Sequence, residues 1–144
     1  MINSDTIKLL RECNSGIKMG IGSIDEALPS VEDEPLKQLL RTCKREHEEL
    51  GKETAAMLEE YGDDSKEPSP IAKGMSWLKT NARLAVRPGD GTVAELITDG
   101  CNMGVKSLNK YLNQYEAAEE RVKDIAKRLI NLEEKLTIDI RSYL

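Results

Sequence analysis

One stretch of this sequence has a similar copy later in the chain, and this repeat limits the folds that the chain can adopt. Residues 14–28 align with residues 98–112 at a spacing of 84 positions, with five identical pairs and two conservative ones. The identical pairs are Gly16/Gly100, Met19/Met103, Gly20/Gly104, Ser23/Ser107 and Leu28/Leu112. Each copy precedes a second amphipathic stretch, so the repeat predicts two similar helical hairpins.

Four long stretches carry apolar residues at alternating steps of three and four, the spacing of one face of an α-helix. The predicted helices span 5–28, 33–61, 92–113 and 116–143. Ser4 or Asp5 is expected to cap the first helix, and Asp90 or Thr92 the third. The connections that follow these two helices are short, so the helices of each hairpin should be antiparallel.

A long connection separates the two hairpins. Residues 62–91 begin with a loop composition, continue with an amphipathic segment over 71–86, and end at the break Pro88–Gly91. We therefore predict a crossover that contains one short helix. Aromatic residues make up only 3% of the chain and Phe is absent, which argues against an all-β fold.

The predicted domain is a single all-α unit over residues 1–144. Its hairpins are expected at 5–61 and 92–143, with the crossover at 62–91 between them. No Gly or Pro follows Gly104, but one helix to the C-terminus would be too long for a domain of this size. A bend near Asn113–Tyr115 is therefore expected.

Two hairpins joined by one long crossover are the arrangement of ferritin-like four-helix bundles. In addition, the segment MGVKSL, Met103–Leu108, is similar to segments in bacterial families of unknown function within the ferritin-like superfamily. The chain thus resembles this superfamily over nearly its whole length. The resemblance implies a ferritin-like four-helix bundle, in whose core some relatives hold two iron ions.

The residues that hold iron in such relatives are not intact in this sequence. The family pattern has one Glu on each of two helices and a Glu-x-x-His on each of the other two. Here the only histidine is His47, and Lys44 stands three residues before it. No cofactor is therefore expected. Two alternatives remain: a metal site of His47 with Glu46 or Glu133, and a thiolate at Cys43 activated by His47 one turn later.

Four polar residues lie on or beside the apolar stripes and form a candidate site. If each hairpin turns midway between its helices, Asn14 faces His47 and Thr98 faces Glu133. Aligning the two hairpins also places His47 near Glu133. We predict one polar layer of Asn14, His47, Thr98 and Glu133, with His47 buried and hydrogen-bonded to Asn14 or Glu133. A hydrogen-bonded structural layer and a ligand site are both open interpretations.

The charge balance and the cysteines restrict the partners. The net charge is −5 and no basic run occurs, so no nucleic acid is expected. No signal peptide or membrane span is recognised, and three scattered cysteines favour a reducing cytoplasm. Glycine pairs at 16/20 and 100/104 allow close helix contact, within the chain or in a homo-oligomer. We expect a structural or protein-interaction module, not an enzyme, with a degenerate metal-binding or redox protein as the alternative.

Overall fold

A computed structural model of the chain describes residues 3–62, 84 and 86–144, and these residues are mostly helical with no β-strand among them. The helices are α1 (Ser4–Ala27), α2 (Glu34–Glu60), α3 (Asp90–Gln114) and α4 (Glu120–Ile140). Short 3-10 turns follow α1 at Leu28–Ser30 and α4 at Arg141–Tyr143. The all-α prediction and the four long helices are confirmed. The predicted crossover helix over 71–86 lies outside the described residues, apart from positions 84 and 86.

The first helix begins one residue earlier than expected. The Asn3 side chain accepts a hydrogen bond from the Thr6 N–H at 2.9 Å, so Asn3 is the cap rather than Ser4 or Asp5. The Asn3 amide also donates to the carbonyl of Ala117 at 2.9 Å. The asparagine therefore caps α1 and joins it to the α3–α4 connection, a long-range role that local sequence does not show.

The expected side-chain cap of α3 is also different. Gly89, at φ 124°, occupies the cap position, and neither Asp90 nor Thr92 caps the helix. The Asp90 carboxylate instead accepts hydrogen bonds from the N–H groups of Glu32 at 2.8 Å and Asp33 at 3.2 Å. Asp90 thus joins the start of α3 to the start of α2.

Hydrogen bonds at both ends fix the directions of the helices. Thr6, near the start of α1, accepts from the N–H of Glu119, just before α4. Tyr61, at the end of α2, donates to the Glu119 carboxylate at 2.6 Å. α2 therefore ends where α4 begins, whereas Asp90 places the start of α3 at the opposite end of the bundle.

The predicted break between the last two helices is confirmed. α3 ends at Gln114, and α4 begins at Glu120 rather than at residue 116. The Ala118 N–H donates to the Tyr115 carbonyl in the intervening turn. The N–H of Ala117 donates to the Asp5 carboxylate at 3.1 Å, so a side chain of α1 binds a backbone group of this turn.

The apolar core consists of two clusters along the bundle axis. One lies toward the α1–α2 connection and includes Ile24, Leu36, Leu40, Val93, Leu136 and Ile140. The other lies toward the α3–α4 connection and includes Leu9, Leu10, Leu58, Val122, Ile125 and Leu129. The middle of the bundle, between these clusters, contains buried polar side chains. None of the described helices combines the length and apolarity that crossing a membrane requires.

Candidate site in the middle of the bundle

His47 projects from α2 into the core and is only 2% exposed. Its Nδ1 lies 2.8 Å from the Cys43 carbonyl oxygen, and because a carbonyl only accepts, Nδ1 carries the proton. The other edge of the ring lies against α1. A Cβ added to Gly20 would fall 2.9 Å from Cδ2 and 3.0 Å from Nε2 of the ring. Only a glycine at position 20 accommodates the imidazole in this position.

Glu133 has the same relationship to a glycine in the second hairpin. The side chain projects from α4, is 7% exposed, and lies against Gly104 on α3. A Cβ on residue 104 would fall 2.7 Å from Oε1. The other oxygen, Oε2, is buried and has no hydrogen-bond partner. Burial raises the pKa of Glu133 to about 8, so the carboxyl group is mainly protonated at pH 7.

The two glycines are equivalent positions of the sequence repeat. Gly20 and Gly104 are 84 residues apart, and each receives a buried polar side chain from the second helix of its own hairpin. The Glu53–Arg128 ion pair, at 2.6 Å, aligns α2 with the antiparallel α4. His47 lies six residues before Glu53, and Glu133 lies five residues after Arg128. The two side chains therefore lie at about the same height in the bundle.

Two thiols lie near the carboxyl group in the same part of the core. Cys43 and Cys101 are buried and unpaired. Burial raises the pKa of Cys43 to about 12 and also raises that of Cys101, with smaller effects from the nearby Glu133. The Cys43 sulfur lies 3.5 Å from His47 Nδ1, but both groups are neutral at pH 7. The arrangement does not provide the activated thiolate considered from the sequence.

The other two residues of the predicted polar layer lie on the first helix of each hairpin. Asn14 is buried, at 2% exposure, on α1. Thr98 on α3 is half-buried, and its Oγ1 is buried with no hydrogen-bond partner. The structure thus places Asn14 with the first hairpin and Thr98 with the second. A single layer that joins all four residues stays a prediction.

The predicted helix register of the first hairpin was wrong by six residues. The His47 ring faces Gly20, which lies about 9 Å along α1 from Asn14 at 1.5 Å per residue. The reason is the connection: the 3-10 turn Leu28–Ser30 and extended residues after it continue beyond α1 before α2 begins. The second hairpin shows the same displacement, since Glu133 faces Gly104 rather than Thr98.

The donor groups in the middle of the bundle do not fit a di-iron centre. Across residues 3–62, 84 and 86–144, no three His, Cys, Asp or Glu side chains converge closely enough to hold a metal ion. His47 Nδ1 is occupied by the Cys43 carbonyl, and Glu133 supplies one carboxyl group where two cations would need several.

Sequence reasoning found the two buried polar groups but missed what they contact. The glycine partners, Gly20 and Gly104, were interpreted as places for helix–helix contact in general. The sequence did contain a usable signal, because His47 and Glu133 follow the repeated glycines by 27 and 29 residues. No comparable spacing in the sequence indicated that Cys101 lies near Glu133.

No protein-family model, curated protein or solved structure matches this chain.

Proposed function

We propose that this chain is a metal-free helical bundle of the ferritin-like type, with a structural or protein-interaction role and no catalytic activity. One observation carries the proposal: the side chains of His47 and Glu133 pack against Gly20 and Gly104 in the middle of the bundle. In a ferritin-like metalloprotein, groups at this height would converge on metal. Here the two side chains instead lie between the helices of their own hairpins, where they contribute to packing.

The ferritin-like part of the proposal is supported by the ends of the helices. α2 ends beside Glu119, and α3 begins beside Glu32 at the other end of the bundle. In a ferritin-like fold, the second helix likewise ends and the third begins at opposite ends of the bundle. The buried, unpaired state of the described thiols supports a cytoplasmic setting.

The partner that we propose is a second copy of the chain, docked on the outer face of α3. Met103 is 63% exposed there, and a Cβ at the neighbouring Gly100 would meet no atom within 4 Å. The sequence from Gly100 to Tyr115 has no acidic residue, although the whole chain is acidic. This face, with Lys106 and Lys110, complements the outer face of α2, on which six glutamates and three basic residues are exposed.

Metal content and mass in solution test the proposal together. The protein should be purified without chelator, analysed for iron, manganese and zinc, and measured by light scattering over a range of concentrations. We expect metal well below one equivalent and a mass above that of the 16.1 kDa monomer. A monomer at tens of micromolar would contradict self-association.

A charge-reversal variant tests the docking face. Lys106→Glu combined with Lys110→Glu should shift the protein toward monomer, and high salt should act in the same direction. Lys127→Glu combined with Lys135→Glu, on exposed positions of α4, is the matched control. Equal effects of the two double variants would show that net charge, not the α3 face, controls association.

A second candidate function is a metal-binding or redox protein that uses His47 with nearby carboxylates. The observation that favours it is the unpartnered Oε2 of Glu133, which lies near two thiols in the core. Binding would require side chains to turn from their present positions, since no three of them converge as they stand in the described part. One or two equivalents of a bound metal, lost in Glu133→Ala, would favour this candidate.

A further inference from the structure

The carboxyl group of Glu133 lies in the interface between α3 and α4, called the α3–α4 seam, and has no partner for its charge among the described residues. Its side chain is more than nine-tenths buried, and Oε2 accepts no hydrogen bond. The titratable groups near it are the thiols of Cys101 on α3 and Cys43 on α2, and His47 of α2, which lies at about the same height against Gly20 and is neutral at pH 7. α1 meets α4 nearby through Gly16 and Leu129, which carry no charge.

The protonated and ionised forms of this carboxyl group differ greatly in how well they fit the seam. Burial alone raises the pKa of Glu133, so no cation among the described residues offsets a negative charge. A buried carboxylate without a partner is strongly unfavourable, whereas the neutral acid fits against the glycine. The ionised group therefore gains by reaching water. It reaches water by turning away from Gly104, and its departure leaves the seam unfilled at this position, beside Cys101.

We propose that the α3–α4 seam is a pH-dependent switch, called the catch below. It is closed while Glu133 is protonated and packed against Gly104, and it opens locally when Glu133 loses its proton. The opening releases the carboxylate to solvent and exposes the neighbouring Cys101, while the other end of the core stays closed. This device does not depend on the proposed function, because it follows from the seam whether the protein self-associates or binds metal.

The pH range of the opening follows from proton linkage. In the open form Glu133 titrates with its ordinary pKa of 4.5, and in the closed form with a pKa of about 8. Between these values the open form binds fewer protons, so its population rises by about tenfold per pH unit. Above pH 8 both forms are ionised, and the population levels off.

Cysteine labelling on the full chain tests the catch. Iodoacetamide modifies Cys101 when the seam opens, and Cys13, in the other apolar cluster, is the internal control. Labelling rates at each cysteine are measured by peptide mass spectrometry between pH 5.5 and 9. Each rate is divided by that of glutathione at the same pH. Glu133→Gln mimics the protonated acid, and Glu134→Gln, at an exposed neighbour, is the matched control.

We expect Cys101 in the natural protein to label faster than Cys13, with a corrected rate that rises steeply to about pH 8 and then levels off. Glu133→Gln should abolish the rise and slow Cys101, whereas Glu134→Gln should leave both unchanged. A single rate for Cys101 and Cys13, or a Glu133→Gln variant that keeps the rise, would overturn the proposal.

Amide hydrogen exchange on the natural protein keeps the proposal testable if Glu133→Gln loses its helical circular dichroism. After correction for intrinsic rates, amides over 101–108 should show increasing exchange with pH up to about 8, and amides over 9–17 should remain protected. Equal protection of the two stretches across this range would overturn the catch.

Discussion

The imidazole ring of His47 lies against the backbone of Gly20, and the ring cannot easily move away. Its Nδ1 is held by the Cys43 carbonyl at 2.8 Å, and the side chain is almost fully buried. A Cβ at position 20 would come within 2.9 Å of the ring, closer than side-chain atoms normally approach. The first hairpin therefore depends on a glycine at this position for contact, not for an unusual backbone angle.

Gly20→Ala should destabilise the protein. The gain in helix propensity is about 1 kcal/mol, but displacement of a buried ring in a filled core costs about 1–3 kcal/mol and breaks the bond to Cys43. We expect a net loss of about 1–2 kcal/mol, measured by urea unfolding. Gly22→Ala, where a Cβ would meet no atom within 4 Å, is the matched control and should be neutral or slightly stabilising. Equal results at the two glycines would contradict the contact with His47.

Gly104→Ala should act differently, because the group that it displaces is the flexible end of a side chain. The new methyl group would move the Glu133 carboxyl group away from α3 and toward water. We expect the pKa of Glu133 to fall from about 8 toward 4.5, with a smaller stability loss than in Gly20→Ala. The Glu133 carboxyl carbon chemical shift, followed by NMR during a pH titration, measures this change.

Gly100→Ala provides the control for the second hairpin. It lies one turn before Gly104 on α3, and a Cβ there would meet no atom within 4 Å. The pKa of Glu133 should stay at its raised value in this variant. If Gly100→Ala lowers that pKa as much as Gly104→Ala does, the direct contact between Gly104 and Glu133 is not its cause.

The helices and the polar exceptions of the core could be predicted from the sequence. Apolar spacing predicted four helices to within about four residues at each end, because amphipathic periodicity is a local property. The burial of His47 was predicted for the same reason and is confirmed. The interruption of an apolar stripe by one polar residue is visible in a single helix and needs no knowledge of its neighbours.

The contacts between helices could not be predicted in this way. The prediction that Asn14 faces His47 assumed a symmetrical turn. Residues 28–33 instead continue beyond α1, and this shifts the helix register so that His47 faces Gly20. Asp90 was assigned as a cap of its own helix but reaches the start of α2. Both differences arise from tertiary geometry at helix ends, where a few backbone angles decide which residues meet.

The burial of His47 makes stability sensitive to acid. Burial lowers the pKa of His47 below its ordinary value of 6.5, so the unfolded chain binds more protons than the folded one below that pH. The stability due to neutral His47 is present above pH 6.5 and is lost as the pH falls toward the lowered folded pKa. The natural protein should therefore lose up to about 1.4 kcal/mol per pH unit relative to His47→Leu in this range. Urea unfolding of both proteins at several pH values between 7 and 5 measures the difference, and parallel curves would contradict it.

Glu133→Gln should show the opposite trend with pH. Because burial raises the folded pKa of Glu133 from 4.5 to about 8, the folded state holds a proton that the unfolded state has lost between these values. The natural protein therefore loses stability as the pH rises through this window, and a neutral Gln of the same shape does not. We expect the variant to match the natural protein near pH 4 and to exceed its stability by about 3 kcal/mol at pH 7. Glu134→Gln, at an exposed position, should follow the natural protein at both pH values. A stability difference between Glu133→Gln and the natural protein that does not change with pH would show that folding leaves the pKa of Glu133 at its ordinary value.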